Sequence, residues 1–215
     1  MDIMDVYLLL DRTGSMGPIW TEAVASINAY VEELSKDGLE YRITLAVFDD
    51  YEGFQFDLVR DAVPIKKWKT FKDNEVTPRG CTPLFDALVR MVSLAEARDD
   101  GKAVMVVMTD GHENASHEVS REGAQAALDR IKKRGWQVVF LVVNFDAFDD
   151  AASVGIAHSQ RMNSAKGHFD KAMLATAERT RAFHCQDMAM EFDEVIRMQA
   201  GEDKVPKQKG NKRER

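Results

Sequence analysis

Three runs in this chain, "IMDVYLLL" (3–10), "KAVMVVMT" (102–109) and "WQVVFLVV" (136–143), are apolar almost without interruption. A strand half exposed to water alternates apolar and polar residues, so these runs read as strands covered on both faces. Covering both faces takes helices, and the sequence supplies amphipathic ones between the runs. Trp20, Ala23, Val24, Ile27, Tyr30, Val31 and Leu34 recur at helical spacing after Pro18, and Leu84, Leu88, Met91, Val92 and Ala95 do so after Pro83. "SREGAQAALDRIKKRG" reads as a third helix, closed by Gly135. The alternation predicts an α/β fold: a doubly wound, Rossmann-like, mostly parallel sheet with helices on both faces. "YRITLAVF" and "GFQFDLV", separated by "DDYE", predict an antiparallel hairpin at one edge, with Asp49 and Asp50 as turn residues.

Further on, "DAFDDAASVG" and "FDKAMLATAERTRAF" predict two more helices, with "SQRMN" between them as an edge strand. "DMAMEFDEVIRMQ" reads as a short amphipathic helix whose Met188, Phe192, Val195 and Ile196 face the core. At 215 residues and 45% hydrophobic the chain has material for one sizeable core. The expected organisation is one domain over residues 1–185, a C-terminal extension over 186–203, and a disordered basic tail over 204–215.

No run approaches the ~20 apolar residues of a membrane span. The start, "MDIMD", places acids where a signal peptide carries Lys or Arg, so the expectation is a cytoplasmic protein without membrane contact. Net charge is −7, although the tail "KVPKQKGNKRER" holds six Lys/Arg against one Glu, so the body is more acidic still. Such a body repels nucleic acid and leaves only the tail for weak electrostatic contact with it. Cys81 and Cys185 stand far apart, without metal-ligand spacing, and are expected as reduced thiols.

In doubly wound sheets functional loops gather beyond the carboxyl ends of the strands, where strand order reverses. Asp11 follows the first buried strand and Asp110 the central one, which puts both carboxylates on that rim. Thr82 stands just before a helix, placed either to cap it or to turn toward the same rim. With Thr13 and Ser15 these residues make an oxygen-only set of two carboxylates and three hydroxyls. Such a hard set suits Mg²⁺ or Mn²⁺, and admits Ca²⁺, far better than it suits Zn²⁺. Arg12 and Met16 are expected to line the rim, His112 and Glu113 to lie on a solvated loop, and Cys81 to be a small loop residue.

In "DRTGSM", "GCTPLFDAL" and "MTDGHENAS" the chain resembles the von Willebrand factor type A domain with its metal-ion-dependent adhesion site. That family's pattern is D-x-S/T-x-S, then a distant Thr, then an Asp after a buried strand. It falls here on Asp11, Thr13, Ser15, Thr82 and Asp110, and the likeness extends over residues 3–182. By overall style, including "VVNFDAFDDAASVGI", the chain is similar to small stand-alone bacterial and phage members. Thr13 stands where Ser is commoner, which keeps the hydroxyl and adds a methyl group.

The resemblance implies a cation held directly by hydroxyls, with one or both aspartates acting through water. It also implies a coordination position open to an Asp or Glu of a partner protein. The expected function is therefore a metal-dependent protein-binding module rather than an enzyme. The alternative is a Mg²⁺-dependent hydrolase of the phosphatase kind using the same site. Against it, position 13 is Thr where such enzymes carry the second Asp of Asp-x-Asp, and no phosphate-binding glycine loop occurs in the sequence.

Overall fold

A computed structural model describes residues 3–98, 101–143 and 145–205. Six strands form one sheet: β1 (Met4–Asp11), β2 (Tyr41–Asp50), β3 (Phe54–Pro64), β4 (Ala103–Thr109), β5 (Gln137–Val142) and β6 (Arg161–Asn163). Their order across the sheet is β3-β2-β1-β4-β5-β6. All neighbours are parallel except β2 and β3, the hairpin at the edge. The predicted architecture is thus the observed one. Every residue of β1 and of β4 is buried, which is why their sequences show no alternation.

Helices α1 (Trp20–Ser35) and α5 (Phe169–Gln186) cover one face, and α2 (Leu84–Ala97), α3 (Arg121–Lys133) and α4 (Phe145–Ser153) the other. The strand residues divide between two cores accordingly. Val6, Leu8 and Leu10 join the first, while Tyr7 and Leu9 join the second, as the two-residue period of a strand requires. Among the described residues no helix is long and apolar enough to cross a membrane.

One carboxylate of α1 holds the start of α5. Glu22 on α1 accepts hydrogen bonds from the Gly167 amide, at 2.8 and 3.0 Å to its two oxygens, and from the Phe169 amide at 3.1 Å. These are amides at the start of α5 that the helix itself leaves unpaired. Glu22→Ala is expected to lower stability by about 1–2 kcal/mol, read from the urea midpoint at unchanged m-value.

Several local expectations need correction. A 3-10 turn, Gly14–Ile19, contains Pro18, and α1 starts only at Trp20. β3 runs past "GFQFDLV" to Pro64, through a register shift against β2 and a positive φ at Ala62. The C-terminal helix α6 is confined to Glu194–Gln199. Met188 and Val195 are exposed, whereas Met190 and Phe192 are buried in the preceding non-helical segment and only Ile196 among the apolar residues of the helix packs on the core. The supposed stripe therefore spans two conformations, and helical spacing does not apply across them. Of the tail, Lys204 closes a 3-10 turn and Val205 is buried, while 206–215 lie outside the described residues.

Candidate functional site

β1 and β4 lie side by side at the centre of the sheet, and the chain leaves them toward opposite edges. Their carboxyl ends thus open the crevice where loops gather. Asp11 ends β1, fully buried, and Asp110 follows Thr109 at the end of β4, partly exposed. The five predicted residues meet there. Ser15 Oγ donates to Asp110 Oδ1 at 2.8 Å, and the Thr13 and Ser15 hydroxyls are 3.1 Å apart. Thr82 Oγ1 donates to Thr13 Oγ1 at 3.3 Å. Thr82 thus turns to the rim instead of capping α2, whose N-cap is Pro83 without a side-chain bond.

Backbone contacts hold the three loops in place. The Arg79 amide donates to the Arg12 carbonyl at 2.8 Å and the Gly14 amide to the Gly80 carbonyl at 3.2 Å. Gly80 has φ +69°, and a Cβ there would stand 2.3 Å from the Asp50 carbonyl oxygen, so only glycine fits. Thr82 and Asn114 clasp the second loop to the third: the Thr82 amide donates to Asn114 Oδ1 at 2.9 Å and the Asn114 amide to the Thr82 carbonyl at 3.1 Å.

Glu113 is a structural carboxylate. It accepts from the Phe85 amide at 3.0 Å, the Ala115 amide at 3.0 Å, and both the amide and the hydroxyl of Ser116 at 2.8 Å. With Ser116 Oγ, which accepts from the Phe85 amide at 3.0 Å and the Asp86 amide at 3.2 Å, it pairs amides that the first turn of α2 leaves open. His112 is exposed as expected, but its Nδ1 is 2.6 Å from Asp150 Oδ2, which fixes the ring. Asp86, buried on α2, accepts from the amides of His117, Glu118 and Val119 and sets the exit path of the third loop.

Arg12 and Met16 do not line the rim. Met16 is fully buried in the core, and Arg12 turns inward to pair with Asp49 and, at 2.6 Å, with Asp57. Asp49 is accordingly a buried strand residue rather than a turn residue, held by Arg12 and by Arg79 Nε at 3.3 Å.

Sequence reasoning also missed Thr109. Its hydroxyl donates to Asp11 Oδ2 at 2.6 Å, while the Thr13 amide donates to Asp11 Oδ1 at 2.7 Å. Both partners are neutral. Burial, only partly offset by those bonds, pushes the Asp11 carboxyl up to about 7, and the nearby Asp110 adds in the same direction. Burial also raises Asp110, against the hydrogen bond from Ser15.

Two desolvated carboxylates beside three hydroxyls fit a hard divalent cation by donor chemistry, because added positive charge favours the ionised form that burial now disfavours. No cluster of three or more His, Cys, Asp or Glu suited to a metal forms among the described residues.

The sequence profile of the von Willebrand factor type A domain matches residues 5–174, spanning all three loops. The chain belongs to that family. Among solved structures this type A domain is similar to proximal thread matrix protein 1 of the mussel byssus, at 16% identity and a TM-score of 0.59. That match covers 82% of the domain's chain but 46% of the mussel protein, so the chain spans under half of that relative. Manganese-loaded TRAP protein of Plasmodium vivax matches at 17% identity and a TM-score of 0.57, over 80% of this chain and 72% of that one. The vWF domain of the type V pili tip protein Mfa5 from Porphyromonas gingivalis matches at 11% and 0.63, over 83% and 95%. At such identities these likenesses establish the fold. No curated protein sequence matches the chain.

Proposed function

We propose that this type A domain is a divalent-cation-dependent protein-binding module, in which Asp11, Thr13, Ser15, Thr82 and Asp110 hold Mg²⁺ or Mn²⁺ for an acidic residue of a partner. One observation carries the reading: three loops bring two desolvated carboxylates and three hydroxyls into one hydrogen-bonded cluster. When bound, the cation supplies Lewis acidity and a coordination position open to an outside oxygen.

The chain's own residues divide the work. Thr13, Ser15 and Thr82 offer neutral oxygens, which bind without cancelling positive charge. Asp11 and Asp110 supply the negative charge, Asp11 being oriented by Thr109 and the Thr13 amide. Ser15 is exposed and opens the cluster toward solvent, the side from which a partner carboxylate approaches. The manganese-loaded TRAP protein and the pilus tip protein among the structural neighbours agree with a cation-using, surface-binding role.

The test is binding of a blocked peptide carrying one glutamate, followed by NMR titration. Binding is expected in Mg²⁺ or Mn²⁺ and lost both in EDTA and in Asp110→Ala. Binding that persists unchanged in EDTA contradicts the proposal.

A further inference from the structure

On the loop that leads to Thr82, one arginine is held at a single guanidinium nitrogen and over an aromatic ring while its side chain stays partly exposed. Arg79 Nε is 3.3 Å from the buried Asp49 carboxylate, and its guanidinium lies over the Tyr51 ring at 5.0 Å. Its side chain is 41% exposed, and Tyr51 is 48% exposed. Among the described ion pairs, every other arginine places a terminal guanidinium nitrogen on a carboxylate. Arg79 commits only Nε, so its two terminal nitrogens make no hydrogen bond or ion pair among the described residues.

Those nitrogens are open to water, and to a ligand that replaces it. Holding a long side chain in one geometry sacrifices rotamer freedom, and the sacrifice is made here beforehand, by Asp49 and Tyr51. A guanidinium so preorganised loses less on binding a planar carboxylate. Its position is tied to the site through the backbone: the Arg79 amide donates to the carbonyl of Arg12, between Asp11 and Thr13, and Thr82 lies three residues on. The Cα atoms of Arg79 and Thr82 are therefore at most about 10 Å apart, a separation that two long acidic side chains about 7 Å apart on an extended peptide can bridge.

We infer that Arg79, stacked on Tyr51, is a second anchor that selects partners presenting two nearby acidic residues, one for the cation and one for the free edge of this guanidinium. The inference rests on the cation-dependent reading above and names the partner's chemistry: a locally diacidic segment of protein. A partner with a single acid engages the cation alone.

The test uses Mg²⁺-loaded full chain and two blocked pentapeptides, one with glutamates two positions apart, the other with one of them replaced by glutamine, in either order. NMR titration of wild type is expected to show the diacidic peptide binding about fivefold tighter, an advantage shrinking with added salt. Arg79→Gln is expected to make the two peptides equal while leaving the single-glutamate affinity and the Mg²⁺ affinity as in wild type. Arg79→Lys keeps part of the preference. Equal binding of both peptides to wild type, or a preference that survives in Arg79→Gln, overturns the role of Arg79 alone. Failure of both peptides to bind metal-loaded wild type overturns the cation reading and this one with it.

Discussion

In EDTA, the stability of Asp11→Asn relative to wild type is expected to rise by about 4 kcal/mol between pH 4 and pH 8. Asp11 is fully buried and its carboxyl is raised from 3.8 to about 7. Between those values the folded chain keeps a proton that the unfolded chain has released. Stability therefore falls as pH rises: the contribution is fully present below 3.8 and is lost as pH passes through 7. An asparagine carries no charge to desolvate, so the variant lacks this slope. Asp110, raised by burial as well, adds to the slope in the same direction. Saturating Mn²⁺ should reverse the trend in wild type, since cation binding requires deprotonated ligands and is strongest at high pH. Urea denaturation across the range checks both parts. Parallel stability curves for the two proteins in EDTA would show that Asp11 does not carry an uncompensated charge.

The second large effect belongs to a residue with no ligand atom. Gly111 is buried behind the cluster, where a Cβ would stand 2.5 Å from Thr82 Oγ1 and 3.3 Å from Asp11 Oδ2. Gly111→Ala must push Thr82 out of reach of Thr13 or move the strand end that carries Asp11. The fold has room to shift a threonine hydroxyl, so the stability cost should stay within about 1–3 kcal/mol. The loss of Mn²⁺ affinity should be at least on the order of 100-fold, as for disturbed supporting residues of metal sites. A folded Gly111→Ala protein that binds Mn²⁺ like wild type would place the cation elsewhere.

Much of this was legible because β1, β4 and β5 lack alternation, which fixes the layer arrangement, and because the loops after β1 and β4 must share a rim. That Asp11 and Asp110 share a rim with Thr13 and Ser15 followed from their places in the sequence, whereas Thr82 was open between capping α2 and facing that rim. What escaped depended on contacts between distant segments. Thr109 looks like any β-branched strand residue until its hydroxyl is seen on Asp11. Glu113 belongs in sequence to a polar loop, yet its acceptors serve a helix that starts 29 residues earlier, at Leu84. Asp49 reads as part of a turn because "DDYE" is polar, whereas the strand runs on through it and Arg12 neutralises it inside the fold. Near the C-terminus, "DMAMEFDEVIRMQ" has helical spacing throughout but is helical only from Glu194, where Asp193 accepts from the Ile196 amide.

The most direct measurement is calorimetric titration of Mn²⁺ into wild type and into an Asp11→Ala, Asp110→Ala double variant at pH 8. Saturable binding of one Mn²⁺ per chain by wild type, absent from a double variant that remains folded by circular dichroism, is the result predicted. Equal binding to both proteins, or none to either, would contradict a cation held by Asp11, Thr13, Ser15, Thr82 and Asp110.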